Sequence, residues 1–264
     1  MRANTSRRSK LAFDEVAAVY DVGRPRFGAA LVSRLASQAG LHAGDHVLEI
    51  GAGTGQLTGA LLEQGLRVTA CEPGTRLAAM LRANFPADAG LLVETSIFED
   101  IAEDQAFSAI FSANAFHWVD PSVGLPKVRR MLLPGAPLVV IWNYPLLADA
   151  ELQVRLNREV FTDSLESFRR DPVGYEAQVE ALGGGGREEL GGSGLFSRFE
   201  WSIARDEFLL SVRDYIDLLN SYANGVGVRD ALETRLMDHL TDGVPLRLDN
   251  YIYSCLAWSP AEDG

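Results

Sequence analysis

The stretch that decides the fold is residues 49–55, which read Glu-Ile-Gly-Ala-Gly-Thr-Gly and directly follow the apolar pair Val47-Leu48. An acidic residue ends a predicted strand, three alternating glycines form a turn, and a predicted helix follows. Glycines let a ligand approach the backbone where any side chain would block it. The first N–H groups of the helix point toward the turn and can bind a polar ligand. The stretch therefore predicts a ligand-binding turn between a strand and a helix.

Apolar runs alternate with amphipathic segments up to residue 142. Continuous apolar runs such as residues 138–141 are typical of strands that are buried on both faces. Strands that alternate with helices in this way predict a parallel sheet covered by helices on both sides. The predicted strands are 46–50, 67–71, 91–93, 107–112 and 137–142, and the predicted helices are 27–39, 55–64 and 75–84, with a further helix beginning after Asp120-Pro121.

The pattern changes after residue 143. One or two helices are predicted over residues 149–180, and the closing part contains strands at 196–203 and 246–258 with helices at 212–219 and 229–240 between them. The glycines at positions 183–186, 191 and 192 predict a loose stretch that is mobile or poorly packed.

Composition narrows the class of partner. The chain has 264 residues and a net charge of −12, which argues against a nucleic-acid backbone or an anionic membrane as the main partner. The only two cysteines, Cys71 and Cys255, lack the spacing of a disulfide framework or a zinc site and are predicted to be buried free thiols. There is no secretory signal and no apolar run of membrane-spanning length, so a cytoplasmic protein without a metal site is expected.

Two classes of cofactor use a glycine-rich turn between a strand and a helix. A dinucleotide site requires a third small residue where the helix packs on the strand. After Gly51 and Gly53 that position is occupied by Gln56, which argues against NAD(P). A turn that binds no ligand is the remaining alternative, and three alternating glycines beside Glu49 argue against it.

The stretch from Glu49 to Gly55 resembles the first motif of class I S-adenosylmethionine-dependent methyltransferases. Glu72, at the end of the second predicted strand, stands where the family has an acid that accepts hydrogen bonds from both ribose hydroxyls, and a carboxylate offers two acceptor oxygens for that purpose. Residues 96–100 fall where the family places the loop around adenine. Ile97 replaces an aspartate that is frequent there, so the adenine contact must come from backbone groups or Glu99, with Phe98 as its apolar neighbour.

Further motifs resemble a small-molecule subset of this family, the trans-aconitate methyltransferase-like proteins. They are Phe116-His117-Trp118 after the fourth strand, residues 132–135, Ile141-Trp142-Asn143, and Tyr20 followed by Arg24-Pro25, where an N-terminal segment folds over the cofactor. Arg24 is suited to pair with the methionine carboxylate. The resemblance is good from residue 13 to residue 143 and weak afterwards. It implies S-adenosylmethionine as cofactor, with the binding residues Tyr20, Arg24, Glu49, Gly51, Ala52, Gly53, Gly55, Glu72, Pro73, Ile97, Phe98, Asn114 and Phe116.

The resemblance also implies a Rossmann-like α/β fold, with a doubly wound seven-stranded sheet, an antiparallel last strand and a helical cap. The expected organisation is a cofactor-covering segment over residues 1–26, a binding core over 27–143, a helical substrate cap over 144–195, and closing strands and helices over 196–264.

The implied reaction is the in-line transfer of a methyl group to a small molecule, with secondary metabolism as one setting. His117 is the candidate general base, because its unperturbed pKa suits proton removal near neutral pH and it follows a strand end. A loop-holding or cofactor-packing role for His117 is the alternative. The candidate substrate contacts are Trp118, Trp142, Tyr144, Tyr215, Tyr222 and Tyr251, which suit an apolar or aromatic acceptor.

Tyr144 replaces a residue that is often basic in the resembled subset, which argues against a tricarboxylic acid as acceptor. The competing functions are an NAD(P)-dependent oxidoreductase and a protein that retains the cofactor but acts as a binding protein or a cyclase. Neither the acceptor, the atom methylated nor the oligomeric state follows from the sequence.

Overall fold

The computed structural model describes residues 14, 24, 26–222 and 228–261. Its strands are β1 His46–Ile50, β2 Arg67–Cys71, β3 Leu91–Glu94, β4 Ala109–Ala113, β5 Pro137–Leu147, β6 Arg198–Leu210 and β7 Leu246–Trp258. Its α-helices are α1 Ala29–Gln38, α2 Thr58–Glu63, α3 Thr75–Asn84, α4 Pro121–Met131, α5 Ala150–Glu159, α6 Tyr175–Gly192, α7 Val212–Asn220 and α8 Arg229–Met237. Short 3-10 helices lie at Phe98–Asp100, Phe116–Trp118 and Asp163–Phe168.

The strands form one sheet of seven in the order β3-β2-β1-β4-β5-β7-β6. Strands β1 to β5 are parallel, and β7 is antiparallel to both β5 and β6. The prediction of a doubly wound, seven-stranded sheet whose last strand is antiparallel is confirmed. The strand order reverses between β1 and β4, and open α/β sheets bind ligands outside the carboxyl ends of the strands at such a point.

Two apolar clusters cover the two faces of the sheet, because the buried strands alternate their side chains between them. Val47, Phe111 and Val139 pack on one face, and Leu48, Ile110 and Leu138 pack on the other. Cys71 and Cys255 are buried free thiols, as predicted. A third cluster joins α5, α7 and α8 with the extended ends of the closing strands.

Several predicted boundaries are wrong, and the first two have a local reason. The first helix after the turn begins at Thr58 rather than at Gly55, because Gly55 has φ +104°, which lies outside the helical region. Strand β4 begins at Ala109, since Phe107 forms only an isolated bridge with Leu132. The closing helix predicted to reach residue 240 ends at Met237.

The closing strands are longer than predicted. Strand β5 continues past Trp142 to Leu147, and β6 begins at Arg198 and continues past Ile203 to Leu210, because both pair with β7 over nearly its whole length. The first four residues of the predicted cap, 144–147, therefore belong to the sheet, and its first helix begins at Ala150.

The glycine-rich stretch was predicted to be loose, and this prediction is wrong. Residues 183–186, 191 and 192 all lie in α6. A Cβ added at Gly183 would lie 2.3 Å from the Tyr253 ring, and one at Gly186 would lie 3.1 Å from Trp142. Glycine therefore lets this helix lie directly on the aromatic side chains of β5 and β7.

Two glycines of α6 are expected to respond oppositely to substitution by alanine. Gly191→Ala is expected to raise the free energy of unfolding by about 0.5–1 kcal/mol, because alanine favours a helix and no atom lies within 4 Å of the added Cβ. Gly183→Ala is expected to lower it by about 1–3 kcal/mol, because Tyr253 is buried and cannot give way. Urea denaturation of both variants measures the difference, and an equal gain in both would contradict the packing of α6 on Tyr253.

Candidate functional site

The turn after β1 is shaped by its glycines. The N–H groups of Gly51 and Ala52 donate to the carbonyl oxygen of Cys71 at 2.8 and 3.2 Å, which ties the turn to the end of β2. Gly51 has φ +71°, and a Cβ there would lie 2.3 Å from the Cβ of Ala115. Glycine is therefore required both by the backbone conformation and by the approach of the segment that follows β4.

Glu72 lies at the end of β2 and is buried. Its two carboxylate oxygens accept hydrogen bonds from the N–H groups of Gly53, at 2.9 Å, and Gly74, at 2.8 Å. Burial raises the pKa of Glu72 to about 7, the two N–H groups lower it, and the charge of Asp14 raises it. Each oxygen keeps lone-pair capacity for a further donor from a ligand.

Asp14 caps the adjacent helix. Its carboxylate accepts the N–H groups of Arg76 and Leu77 at 2.7 and 3.1 Å, at the first turn of α3. A residue of the predicted cofactor-covering segment therefore lies beside the ribose-binding candidate Glu72. Tyr20, the other candidate in that segment apart from Arg24, lies outside the described residues.

Glu49 is a second buried acid, at the end of β1, and it accepts a hydrogen bond from Thr58 Oγ1 at 2.6 Å. Burial raises the pKa of Glu49 to about 8, the Thr58 hydrogen bond lowers it, and the charge of Glu72 raises it. The pKa values of both carboxyl groups thus lie well above their ordinary range.

These raised pKa values predict that the ligand-free protein loses stability as the pH rises. Between pH 4.5 and 8 the folded protein holds a proton on Glu49 that the unfolded chain has released, so stability is greatest at the lower end of that range. The two groups together are expected to lower the free energy of unfolding by about 3.7 kcal/mol from pH 6 to pH 8. In Glu49→Gln the contribution of Glu49 is lost, and the fall that Glu72 causes is expected to be about 1.4 kcal/mol. Denaturant titrations at the two pH values measure both, and equal falls would refute the assignment.

The first of three adjoining spaces has an empty volume of about 660 Å³, open to solvent. It lies between the ends of β1, β2 and β4. Of the predicted cofactor residues, the following line it: Arg24, Gly51, Gly53, Glu72, Pro73, Ile97, Phe98 and Asn114.

The loop around Phe98 is held by Lys127, which sequence reasoning did not single out. Lys127 is 3% exposed, and its Nζ donates to the carbonyl oxygens of Glu99, at 2.9 Å, and Ile101. It also lies 5.2 Å from the centre of the Phe98 ring. A lysine in an amphipathic helix gives no sequence signal for this role.

The second space, about 460 Å³, is lined by Glu49, Ala52, Arg24, Asn143 and Asn250 among others. The side-chain oxygens of Asn143 and Asn250 are buried and accept no hydrogen bond from any described residue. Buried polar atoms without partners are uncommon and indicate a ligand or water. Neither asparagine was among the predicted cofactor residues. Asn143 entered only as part of the Ile141-Trp142-Asn143 motif, and nothing in the sequence places Asn250 of β7 beside the end of β1.

Asn114 connects the spaces. It has φ +52°, a conformation that is uncommon outside glycine. Its N–H donates to the carbonyl oxygen of Ile141 and its Oδ1 accepts the N–H of Asn143. Together with Arg24 it lines all three spaces. The Arg24 guanidinium donates to the Ser221 carbonyl oxygen and lies 4.2 Å from the centre of the Tyr222 ring.

The third space is a larger open cleft of about 1440 Å³ between the ends of β4 and β5 and helix α6. It contains five of the candidate residues for catalysis and substrate binding, His117, Trp118, Trp142, Tyr144 and Tyr222. His117 is exposed, with its ring 5.2 Å from that of Trp118. Arg170 and Glu189, which the sequence did not single out, also line this cleft.

Four candidates lie elsewhere than expected. Gly55 faces Phe85 rather than the first two spaces, and a Cβ added at Gly55 would lie 2.6 Å from the Phe85 ring. Phe116 lines the third space and not the two nearer Glu49 and Glu72. Tyr215 is buried in the third apolar cluster, and Tyr251 packs on Tyr175, so neither is among the described lining residues of the three spaces.

Metal sites and membrane-spanning helices are both absent from the described parts of the chain. No three His, Cys, Asp or Glu side chains gather there in a way that could hold a metal ion. Within residues 26–222 and 228–261, none of the helices has the length and apolar character needed to cross a membrane.

The chain is similar in sequence to proteins named as methyltransferases. A family described as "methyltransferase domain" matches residues 48–140. An uncharacterized methyltransferase of Mycobacterium bovis is 38% identical over 134 residues, which are 50% of this chain and 52% of that protein. The chain thus matches about half the length of this relative. An uncharacterized methyltransferase of Schizosaccharomyces pombe is 25% identical over 78% of this chain and 76% of its own length.

Two solved structures share the fold. One, named as a type II methyltransferase from Anaeromyxobacter dehalogenans, has a TM-score of 0.63 and 20% identity over 90% of this chain and 99% of its own. The other, phosphoethanolamine N-methyltransferase 2 of Haemonchus contortus with S-adenosyl-L-methionine, has a TM-score of 0.51 and 16% identity over 94% of this chain and 57% of its own.

Proposed function

We propose that the protein transfers a methyl group from S-adenosylmethionine to a small-molecule acceptor, because a family described as a methyltransferase domain matches residues 48–140. The observation that carries the proposal is the row of three adjoining spaces that share Arg24 and Asn114. The first and second spaces, hereafter the cofactor spaces, suit the two ends of the cofactor. The third space, hereafter the acceptor cleft, suits an acceptor.

The first space fits the adenosine part. The two oxygens of Glu72 are fixed by the N–H groups of Gly53 and Gly74 and are suited to accept hydrogen bonds from the two ribose hydroxyls. Phe98 and Ile97 provide apolar surface for the adenine ring. Without an aspartate at position 97, backbone groups or Glu99 must recognise the adenine amino group.

The second space fits the methionine part of the cofactor. The fit rests on the side-chain oxygens of Asn143 and Asn250, which accept no hydrogen bond from any described residue. An ammonium group has three donors, and this space offers it three oxygen-bearing side chains, Glu49, Asn143 and Asn250. The Arg24 guanidinium is suited to the methionine carboxylate. An ammonium beside Glu49 favours the ionised carboxylate and opposes the effect of burial on its pKa.

When bound, the cofactor would supply an electrophilic methyl group on a sulfonium. An acceptor atom would bond to the methyl carbon as the carbon–sulfur bond breaks, with S-adenosylhomocysteine as the leaving group. The residues of this chain bind the cofactor and the acceptor and orient them toward each other. Asn114 and Arg24 border the junction between the cofactor spaces and the acceptor cleft, and Trp118 borders both the first space and the cleft. Holding two reactants in attack geometry lowers a barrier by up to roughly 7–11 kcal/mol in intramolecular models.

His117 lines the acceptor cleft and is absent from the described lining of the other two spaces. This position supports a role toward the acceptor. We expect His117→Ala to lower turnover about a hundredfold, the lower end of general base catalysis, and to leave cofactor affinity within a few-fold. Turnover is followed by mass spectrometry and affinity by calorimetry. A collapse of cofactor affinity would instead assign His117 to the cofactor site.

The proposed function is tested by calorimetric titration with S-adenosylhomocysteine and, in parallel, NADH. Binding of the first and not the second is expected. The buried Gln56 side chain, which bonds to Thr54 at 2.6 Å, stands where a dinucleotide site requires a small residue. Tight binding of NADH alone would support the oxidoreductase alternative. A screen for acceptors by mass shift then tests transfer, and consumption of an acceptor without methylation would indicate a cyclase.

A further inference from the structure

The acceptor cleft contains a second arginine that no motif indicated. Arg170 follows the 3-10 helix Asp163–Phe168 and lines the third space, but it is absent from the described lining of the first two. Its backbone is fixed to α5, because its N–H donates to Asn157 Oδ1 at 3.1 Å and its carbonyl accepts from Asn157 Nδ2. The position of this cation is therefore set by the fold.

The charge of Arg170 is not neutralised by the groups that hold it. Its Nη1 donates to the backbone carbonyl oxygens of Ser167, at 3.0 Å, and Arg169, at 2.8 Å, and both are uncharged. Within the described residues, the ion pairs of other arginines involve carboxylates, but none joins a carboxylate to Arg170.

The tyrosines nearby do not neutralise it either. Burial raises the pKa of Tyr175 and of Tyr215, although Arg170 lowers both, and burial raises the pKa of Tyr144 to about 12. These phenols therefore stay protonated at neutral pH. Tyr144 lines the same cleft as Arg170, so its hydroxyl can add a hydrogen bond to an anion held there.

The described lining of the cleft carries more basic than acidic side chains, although the chain as a whole is acidic. The chain carries a net charge of −12, yet the described lining of the cleft has two arginines, Arg24 and Arg170, against one acid, Glu189. Arg24 also borders both cofactor spaces, whereas Arg170 borders only the acceptor cleft. The rest of the described lining is largely aromatic and apolar, and it includes Trp142 of β5 and Leu190 of α6.

We propose that the methyl acceptor carries a carboxylate that pairs with the Arg170 guanidinium, while its aromatic or apolar body lies against Trp142 and Tyr144. A guanidinium binds a carboxylate through two parallel hydrogen bonds, which fixes orientation as well as position. Because Arg170 does not border the cofactor spaces, this carboxylate anchors the acceptor and is not the group that is methylated. The proposal rests on the proposed function. Arg170 supplies a basic residue to the cleft, where the absence of one at position 144 argued only against a tricarboxylic acid.

The test uses the full chain saturated with S-adenosylhomocysteine. The probes are 4-hydroxybenzoate, phenylacetate and 2-naphthoate, each paired with its neutral amide, together with phenyl phosphate, and binding is measured by calorimetry. At least one carboxylate is expected to bind about tenfold more tightly than its amide, the ratio for loss of a charged hydrogen bond. Arg170→Gln is expected to abolish that ratio, and the matched control Arg169→Gln, an exposed neighbour, is expected to keep it.

Each result decides one question. Failure of the protein to bind S-adenosylhomocysteine would overturn the proposed function itself. If S-adenosylhomocysteine binds, the carboxylate proposal is overturned by any of three results: no acid binds, acids and amides bind equally, or Arg170→Gln keeps the preference. Tighter binding of phenyl phosphate than of every carboxylate, lost in Arg170→Gln, would overturn the carboxylate in favour of a phosphate. The affinity of Arg170→Gln for S-adenosylhomocysteine reports whether the variant is folded.

Discussion

Glu72→Gln is expected to lower the affinity for S-adenosylhomocysteine about a hundredfold. The carboxylate accepts the N–H groups of Gly53 and Gly74, one on each oxygen. In glutamine one oxygen becomes an NH2 group, which would face an N–H donor and would also fail to accept a ribose hydroxyl. Hydrogen bonds to a charged group contribute about 1.5–3 kcal/mol each, and about 2.7 kcal/mol corresponds to a hundredfold change.

The matched control is Glu94→Gln. Glu94 ends the neighbouring strand β3, is exposed, and is not among the described lining residues of the first space. Calorimetry on both variants is expected to show a loss only for Glu72→Gln. Equal losses would mean that the effect reflects the overall negative charge, and an unchanged affinity in Glu72→Gln would remove Glu72 from the site.

Gly51→Ala is expected to abolish measurable cofactor binding and to lower the free energy of unfolding by about 2–5 kcal/mol. About 1–2 kcal/mol comes from a left-handed backbone conformation at φ +71°. A further 1–3 kcal/mol, roughly, comes from overpacking, because the new Cβ would lie 2.3 Å from the Cβ of Ala115. Relief of that clash would displace the turn that separates the cofactor spaces.

Two controls separate the causes. Gly40 has nearly the same φ as Gly51, +72°, and no atom lies within 4 Å of a Cβ added there. Gly40→Ala should therefore lower the free energy of unfolding only by the cost of the backbone conformation. The double variant Gly51→Ala, Ala115→Gly removes the opposing methyl group and is expected to recover the overpacking part of the loss. Urea denaturation measures the free energy of unfolding of the wild type and of the three variants. A double variant no more stable than Gly51→Ala alone would contradict the contact with Ala115.

The core of the fold was predictable from residue pattern because its determinants are local. Val47, Val68 and Val139 lie in apolar runs between helical segments, and the strands that contain them were predicted to within two or three residues at most ends. The turn was predictable because its glycines have conformations that other residues rarely adopt. The glycines of α6 were misread, since their role depends on Tyr253 and Trp142, which are distant in sequence.

The site was predictable only in part for the same reason. Glu49 and Glu72 stand at fixed offsets within strand ends, so a motif identifies them. Asn250, Lys127 and Arg170 lie in segments without a motif, and only the pairing of β7 with β5, the packing of α4 and the position of the 3-10 helix before residue 170 bring them to the spaces.

The sequence by itself determined the glycine-rich turn, the two buried acids beside it and the alternation of strands and helices, because these follow from backbone conformation and residue spacing. The tertiary structure alone decided that three spaces adjoin at Asn114 and Arg24, and that the glycine-rich segment is a helix over the acceptor cleft. It also brought to that cleft Arg170, which forms no ion pair with a carboxylate of the described residues. These features depend on contacts between segments far apart in the chain, and no local pattern encodes such contacts.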